Sequence, residues 1–552
     1  MSKTERAVYA EKALSQIPRL LGNQDRNPFS PTYGCFHRDY WLDKTSDFPD
    51  AVRQFGVHSL ALVYTQDFPG NFYKGKEKIR DWTVAGMMFW CTIQHKEGSF
   101  DEFYPYERGW VGPTAFTTFA VAEAYKLLER ELEPFQKERI LAALRRAADF
   151  IVRGESEEDH LANHHAMACL AVWKVYRLLG DASLKEGYER LWEGFTRYHD
   201  DLEGWSREYD GVDPGYLSAT VSFLGKIYQD NEDPRILERM KQSIEFCSYF
   251  VYPDGFYAGT LGSRNTLHFY PHGFEIFAKK VPLAASIAEK MLSALSEGKL
   301  VPPEIISDRY VFYRVPEYLQ AYLDYTDRPA LLPPLPFERD PFSAYFEKSG
   351  IWVHKTPKRY YVANLAKGGV IKSFDIETGT IICDDAGVLG ELWNGKVVTT
   401  QWIDPSFETN ITGEGWEVTG RLVAVPGSKR FTPLKQILFR LVLLLIGWHP
   451  SLAHGFKGWI RKVLILGSRS VPVSFTRSLR FAGDKAVLRS ELRFKGKAKF
   501  RRVRFGDNFS VRYVPQSRYF QAQELQGRGT MIEGERLEKA NALGQITLEV
   551  EV

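Results

Sequence analysis

At 552 residues the chain is too long for one hydrophobic core, so two or three domains are expected. A hydrophobic content of 44% with 14% aromatics indicates a globular protein, and five scattered cysteines without a CxxC pair argue against a disulfide framework or a structural zinc site. The net charge of +3 conceals a basic stretch from Ser428 to Arg504, where 19 Lys/Arg face only Asp484 and Glu491; that local +17 leaves −14 elsewhere and points to an anionic partner.

In chain order, the opening MSKTERAVYAEKALSQIPRLLG lacks the apolar run of a secretory signal, so a cytoplasmic location is the expectation. Residues 1–330 read as helical repeats spaced by about 50 residues, each a Gly-aromatic turn, a polar loop and an apolar-periodic helix. The units begin near Glu97, Leu202 and Pro253, with HLANHHAMACLAVWKVYRLLG from His160 as a variant without the glycine turn. Phe116, Phe119, Ala120, Ala124 and Leu127 share one helical face, as do Ala168, Ala171, Val172, Val175, Leu178 and Leu179. Hairpins of this length stack as a solenoid or close into an α/α toroid. The polar loops before the presumptive inner helices favour the toroid, with a central cleft and a catalytic role for residues 1–330.

A Pro-rich linker over 331–344 is followed by short alternating runs such as GKVVTTQW and WEVTGRLVAV, bounded by Gly and Asp. Residues 345–552 therefore read as an antiparallel β-sandwich. Within it, 432–466 is strongly apolar and basic, too short to span a bilayer, and reads as one or two inserted helices. The fold class is thus α+β multidomain.

The chemistry-bearing groups lie between Asn163 and His272. Removing the C5 proton of a uronic acid requires neutralising the adjacent carboxylate, a base, and an acid for the leaving O4. Asn163 can donate an amide to the carboxylate, and His164 or His165 can donate or act as base. Tyr216, after the DPG turn, is the preferred acid and base, with Tyr209 in reserve. Arg264 supplies a cation that stabilises a phenolate, and His268 joins the catalytic set. Asn265, His272, Glu107 and Trp205 are read, with Tyr209 and His165, as substrate-binding. Helix capping and ordinary salt bridging are the plainer alternatives for the Asn-His-His and Arg264/His268 groups. Glu102, Glu107, Glu208, Asp210 and Asp213 could instead supply a carboxylate pair for glycoside hydrolysis.

Helical repeats followed by a β-sandwich, with an Asn-His element, a Tyr after a glycine turn and an Arg-Asn element, resemble the heparinase II/III-like polysaccharide lyases. The resemblance implies that Asn163 and His164 neutralise the carboxylate, that Tyr216 is the catalytic tyrosine and, by analogy with the chondroitin-lyase type, that Arg264 assists it. It departs in two ways: the family's second histidine in the β-domain has only His354, His449 or His454 as counterparts, and its export signal is missing. A uronate C5-epimerase, as in the related dermatan-type epimerases, shares the first half of the mechanism. A non-catalytic glycan-binding role also fits the cleft. The expected partner is an anionic polysaccharide or oligosaccharide, with an anionic membrane surface reached through 432–466. No cofactor, metal or nucleic acid is implied.

Overall fold

The computed structural model describes residues 5–105, 110–154, 161–413, 415–426, 432–461, 469–482, 485–496, 498–506, 509–526 and 529–552. The candidate Glu107 lies outside these residues, as do Lys429, Arg430 and Lys462 of the basic stretch.

Among the described residues, six helices form an inner ring: Gly56–Thr65, Val111–Leu128, Ala162–Leu179, Pro214–Asn231, Pro271–Phe277 and Val311–Asp324. Each packs on the next, and the last packs on the first, so the ring is closed. Glu77–Ile93, Pro134–Arg153, Ala182–Thr196, Pro234–Ser248 and Pro282–Ser296 each back one inner helix from outside. The sixth outer position is taken by Ala7–Leu14, which packs on Val311–Asp324 and lets the start of the chain complete the toroid.

The two layers differ in composition for a physical reason. The outer helix Pro134–Arg153 buries Ile140, Ala143, Leu144, Ala147, Ala148 and Ile151, the stripe expected of a helix with one wet face. The inner helix Pro214–Asn231 is buried continuously from Pro214 to Tyr228, because it has inner neighbours on both sides and an outer helix behind. A single apolar face therefore understates how much of an inner helix is enclosed.

Charged groups on the inner helices are consequently paired. Lys174 lies 3.4 Å from Glu123 and 2.8 Å from Asp230, Lys226 lies 2.6 Å from Glu317, and His272 lies 2.6 Å from Asp324. Three further histidines are held neutral. Burial lowers His37 to about 3 and both His58 and His199 to about 4, and the His37 Nδ1 accepts the Asp50 N–H at 2.9 Å. An unfolded histidine titrates near 6.5, so below that pH the unfolded chain binds protons that the folded chain refuses. Stability is then present above about pH 6.5 and lost as pH falls toward 4, by roughly 1.4 kcal/mol per pH unit for each group. Denaturant midpoints should fall steeply between pH 6.5 and 4.5; a flat profile there would contradict this account.

Two short strands, β1 (Arg207–Glu208) and β2 (Gly211–Val212), form a hairpin at the toroid's rim. Beyond Asp324 the chain runs through a turn at Pro336–Glu338 into a five-stranded antiparallel meander: β3 (Phe342–Phe346), β4 (Ile351–Lys355), β5 (Arg359–Asn364), β6 (Val370–Asp375) and β7 (Ile381–Asp385). A nine-stranded sheet follows, formed by β8 (Val388–Leu392), β9 (Val397–Thr399), β10 (Glu408–Thr412), β11 (Gly415–Ala424), β12 (Ser470–Ala482), β13 (Lys485–Phe494), β14 (Phe500–Phe505), β15 (Thr530–Ile532) and β16 (Gln545–Glu551). Its order is β15-β14-β8-β9-β11-β12-β13-β16, with β10 paired to β11.

The meander is enclosed on both faces. Ile351, Val353, Tyr360, Val362, Val370 and Phe374 join the toroid's core, while Trp352, Tyr361, Ala363 and Ile371 join the core between the sheets. Strand alternation thus welds the two domains directly. The fold is the α/α toroid plus antiparallel β-sandwich expected from sequence. The apolar insertion is a pair of contacting helices, Pro433–Ile446 and Pro450–Arg461, between β11 and β12.

Candidate active site

The site lies where two neighbouring inner helices begin. Asp213 caps Pro214–Asn231, with Pro214 at the first helical position and Tyr216 in the first turn. Asp213 is fully buried, and burial pushes its carboxyl up. Three N–H groups nevertheless hold it: Tyr216 N at 3.4 Å, Arg264 N at 2.9 Å and Thr266 N at 3.4 Å. One carboxylate therefore fixes the backbones of Tyr216 and Arg264 together. The approach is close enough to require glycine: a Cβ on Gly262 would lie 2.6 Å from Asp213 Oδ2.

Asn163, at the start of Ala162–Leu179, is tied to the same cluster through Glu208 of β1. Its N–H and its Nδ2 donate to the two Glu208 oxygens at 2.6 and 2.8 Å. The Glu208 carbonyl accepts from Ser263 Oγ at 2.9 Å. The amide that was expected to face a substrate carboxylate thus also serves a buried protein carboxylate.

Between the strands of the hairpin, Tyr209 has φ +63°, and its ring lies under the Arg264 guanidinium at 4.4 Å. Asn265 (φ +57°) and Ala258 (φ +49°) are left-handed in the facing loop. Tyr209 and Ala258 have no side-chain excuse for that conformation, and such strain gathers at functional sites.

The β-domain braces this loop from behind. Asn364 Nδ2 donates to the Leu261 carbonyl at 2.7 Å, and Lys367 Nζ donates to those of Thr260 and Gly262 at 2.7 and 2.6 Å. Lys367 is buried, and burial, followed by repulsion from Arg512, lowers it to about 7. Segment 509–526 lies over the front. Ser517 Oγ donates to the Arg264 carbonyl at 2.7 Å, Tyr519 packs on His268 at 5.4 Å, and Arg512 pairs with Asp210.

The structure brings Asn163, Tyr209, Tyr216, Arg264, Asn265 and His268 into one neighbourhood. His164 sits at the same helix start, its ring 6.3 Å from Trp110 and 5.6 Å from Phe116. Other sequence candidates are placed differently. His165, one residue on and so about 100° around the helix, is buried against Tyr198 with ring centroids 4.9 Å apart. His272 belongs to the charged belt with Asp324, beside Lys226, which is ten residues and so about 15 Å along the helix from Tyr216. Trp205 donates to Glu203 at 2.8 Å, in a turn braced by Lys348 and Ser349. Of the β-domain histidines, His354 packs on Trp352 and Phe481 within the sheets.

Among the described residues, the candidate carboxylates for a hydrolytic pair are engaged; Glu107 lies outside them. Glu102 lies 3.1 Å from Arg309, Glu208 holds Asn163, Asp213 caps its helix, and Asp210 bridges Arg264 and Arg512.

Residues 71–271, which include this cluster's helical part, match the family model of the ulvan lyase N-terminal domain. Over that span the chain is similar to the N-terminal domain of ulvan lyases. The Streptomyces coelicolor A3 chondroitin AC lyase, solved in complex with chondroitin sulphate, has a similar fold: TM-score 0.52, 12% identity, covering 91% of this chain and 68% of that one. A heparan sulfate lyase HepC mutant from Pedobacter heparinus aligns at TM-score 0.43 and 11% identity, over 90% of this chain and 70% of that one. No curated relative matches the chain in sequence.

Proposed function

We propose that the protein is a polysaccharide lyase that cleaves a uronate-containing chain by β-elimination. The observation that carries this reading is the Asp213 node, which holds the backbones of Tyr216 and Arg264 together while the described candidate carboxylates Glu102, Glu208, Asp210 and Asp213 are already engaged. A tyrosine and a cation whose backbones are tethered in one site suit proton transfer at carbon. A site whose acids are occupied lacks the free pair that hydrolysis needs.

In this reading Tyr216 removes the C5 proton. The C5–H electrons form the C4–C5 double bond, the C4–O4 bond breaks, and the departing oxygen takes a proton from the same phenol. His164 and Asn163 support the carboxylate's developing charge, assisted by Arg264 and His268. Ulvan is the first polymer to test, followed by chondroitin sulphate and heparan sulfate. Incubation in deuterated buffer separates the outcomes. Elimination gives ultraviolet absorbance from the new double bond. Deuterium at C5 without absorbance would mean epimerisation, and new reducing ends with neither would mean hydrolysis.

We also propose that the helical hairpin over 432–461 docks on an anionic lipid surface. Leu438, Leu441, Leu444, Leu445 and Trp448 are all exposed, and Leu445 reaches 81%. Trp459 of the second helix is exposed as well. No acid occurs between Glu417 and Asp484, a stretch with eleven Lys/Arg. The hairpin touches the toroid through Arg440, 3.0 Å from Asp47, and Phe439, 5.5 Å from Tyr104, leaving its apolar face outward. Among the described residues no helix is long and apolar enough to cross a membrane. Apolar burial plus bases worth about 1 kcal/mol each near an anionic surface gives reversible attachment. The protein should sediment with phosphatidylserine vesicles at low salt and far less after Leu445→Glu. No sedimentation at low salt, or a dimer in which a second copy covers the hairpin, would overturn this.

A further inference from the structure

The second guanidinium at the site, Arg512, comes from the β-domain and has no role in the chemistry so far. Its geometry mirrors that of Arg264. Arg512 sits over the Trp402 ring at 4.1 Å, as Arg264 sits over that of Tyr209 at 4.4 Å. Each stacked ring fixes its guanidinium plane and leaves the N–H edges to point outward. Both edges converge on one carboxylate, Asp210, which pairs with Arg512 and lies 3.7 Å from Arg264 Nη2.

One carboxylate cannot satisfy two forks. Arg264 and Arg512 are both 2% exposed. Among the described residues, Nε and Nη1 of Arg512 and Nε of Arg264 have no hydrogen-bond acceptor, and Arg264 Nη2 meets the otherwise unpaired Asp210 Oδ1 only at 3.7 Å. Buried N–H groups of a cation are costly to leave unmade. Mutual repulsion is visible too: burial, then Arg264, lowers Arg512 to about 10. Lys367, close enough to feel both arginines, adds positive potential. Asp210 and Asp213 are the acids that offset these three cations, and the guanidinium N–H groups named above still lack acceptors.

We propose that Arg264 and Arg512 together form an oxyanion site that takes the carboxylate or a sulfate ester of the sugar chain, with Asp210 holding the two forks in register. This rests on the polysaccharide-lyase reading for the identity of the ligand, though not for the existence of the site. Asn163 already gives an N–H to Glu208, so the arginine pair is the stronger anchor for an acidic group. Because Arg512 lies on segment 509–526, which meets the toroid through Ser517, Tyr519 and Arg512 itself, the site is complete only when that segment is seated.

The test is binding, which does not need turnover. The full-length protein is titrated calorimetrically with sodium glucuronate and, separately, with sodium sulfate, against chloride at equal ionic strength. Glucuronate binding alone assigns the site to the carboxylate, and sulfate binding alone assigns it to a sulfate ester. Arg512→Lys keeps the charge but removes the fork, and should weaken binding by about tenfold. Arg512→Gln removes one fork and leaves Asp210 paired with Arg264, so no buried charge is stranded, and it should not bind. If neither anion binds the wild type above chloride, or if both variants bind as the wild type does, the proposal is overturned. Binding that depends on Arg512 in a protein that cleaves no uronate polymer would keep the site and reject the lyase reading.

Discussion

Replacing Tyr216 by Phe is expected to lower turnover by about a thousandfold, the scale of a lost general acid–base. Affinity for an uncleaved chain should stay within about twofold, because only the phenolic oxygen is deleted. The fold should tolerate the change. Tyr216 is 4% exposed at the start of an inner helix, and its backbone N–H on Asp213 is an anchor that Phe retains. Tyr209→Phe is the control: its ring supports Arg264 by stacking, which Phe preserves. If Tyr209→Phe were the inactive variant and Tyr216→Phe the active one, the two tyrosines would have to exchange roles.

Asp213→Ala should be the most damaging single change to stability near the site. It removes a helix cap and the acceptor of three N–H groups, those of Tyr216, Arg264 and Thr266. Loss of the cap and stranding of buried donors together cost about 3 kcal/mol or more. Turnover should fall as well, since the Tyr216 and Arg264 backbones lose their common tether. Asp213→Asn keeps one acceptor oxygen and should be intermediate in both respects. Chemical denaturation of the three proteins measures the stability effect, and an Asp213→Ala protein within about 1 kcal/mol of the wild type would show that the node is not what holds the site.

The toroid was legible because its signals are local. An inner helix announces itself by a cap and a proline, as in Asp213-Pro214, and by apolar residues that follow within one turn. The closing element was not legible. Ala7–Leu14 completes the outer layer next to Val311–Asp324, some three hundred residues away, and nothing in its sequence names that partner. The same contrast runs through the site. Asn163, Tyr216 and Arg264 sit beside recognisable turns. Asn364, Lys367 and Arg512 reach the loop from the β-domain, and only the paired glycines after Lys367, both with left-handed φ, hinted at an unusual turn there. His165 shows the limit of reading a run such as Asn-His-His as a unit: on a helix, consecutive side chains point in different directions, and this one joins the core.

The central claim is that the chain is cut without water. The most direct measurement is mass spectrometry of products formed from a uronate polymer in water enriched in heavy oxygen. Elimination predicts that no labelled oxygen enters and that the new non-reducing end is one water lighter than a hydrolysed end. Cleavage products that carry one heavy oxygen at the new reducing end would contradict the account, however completely Tyr216→Phe abolished their formation.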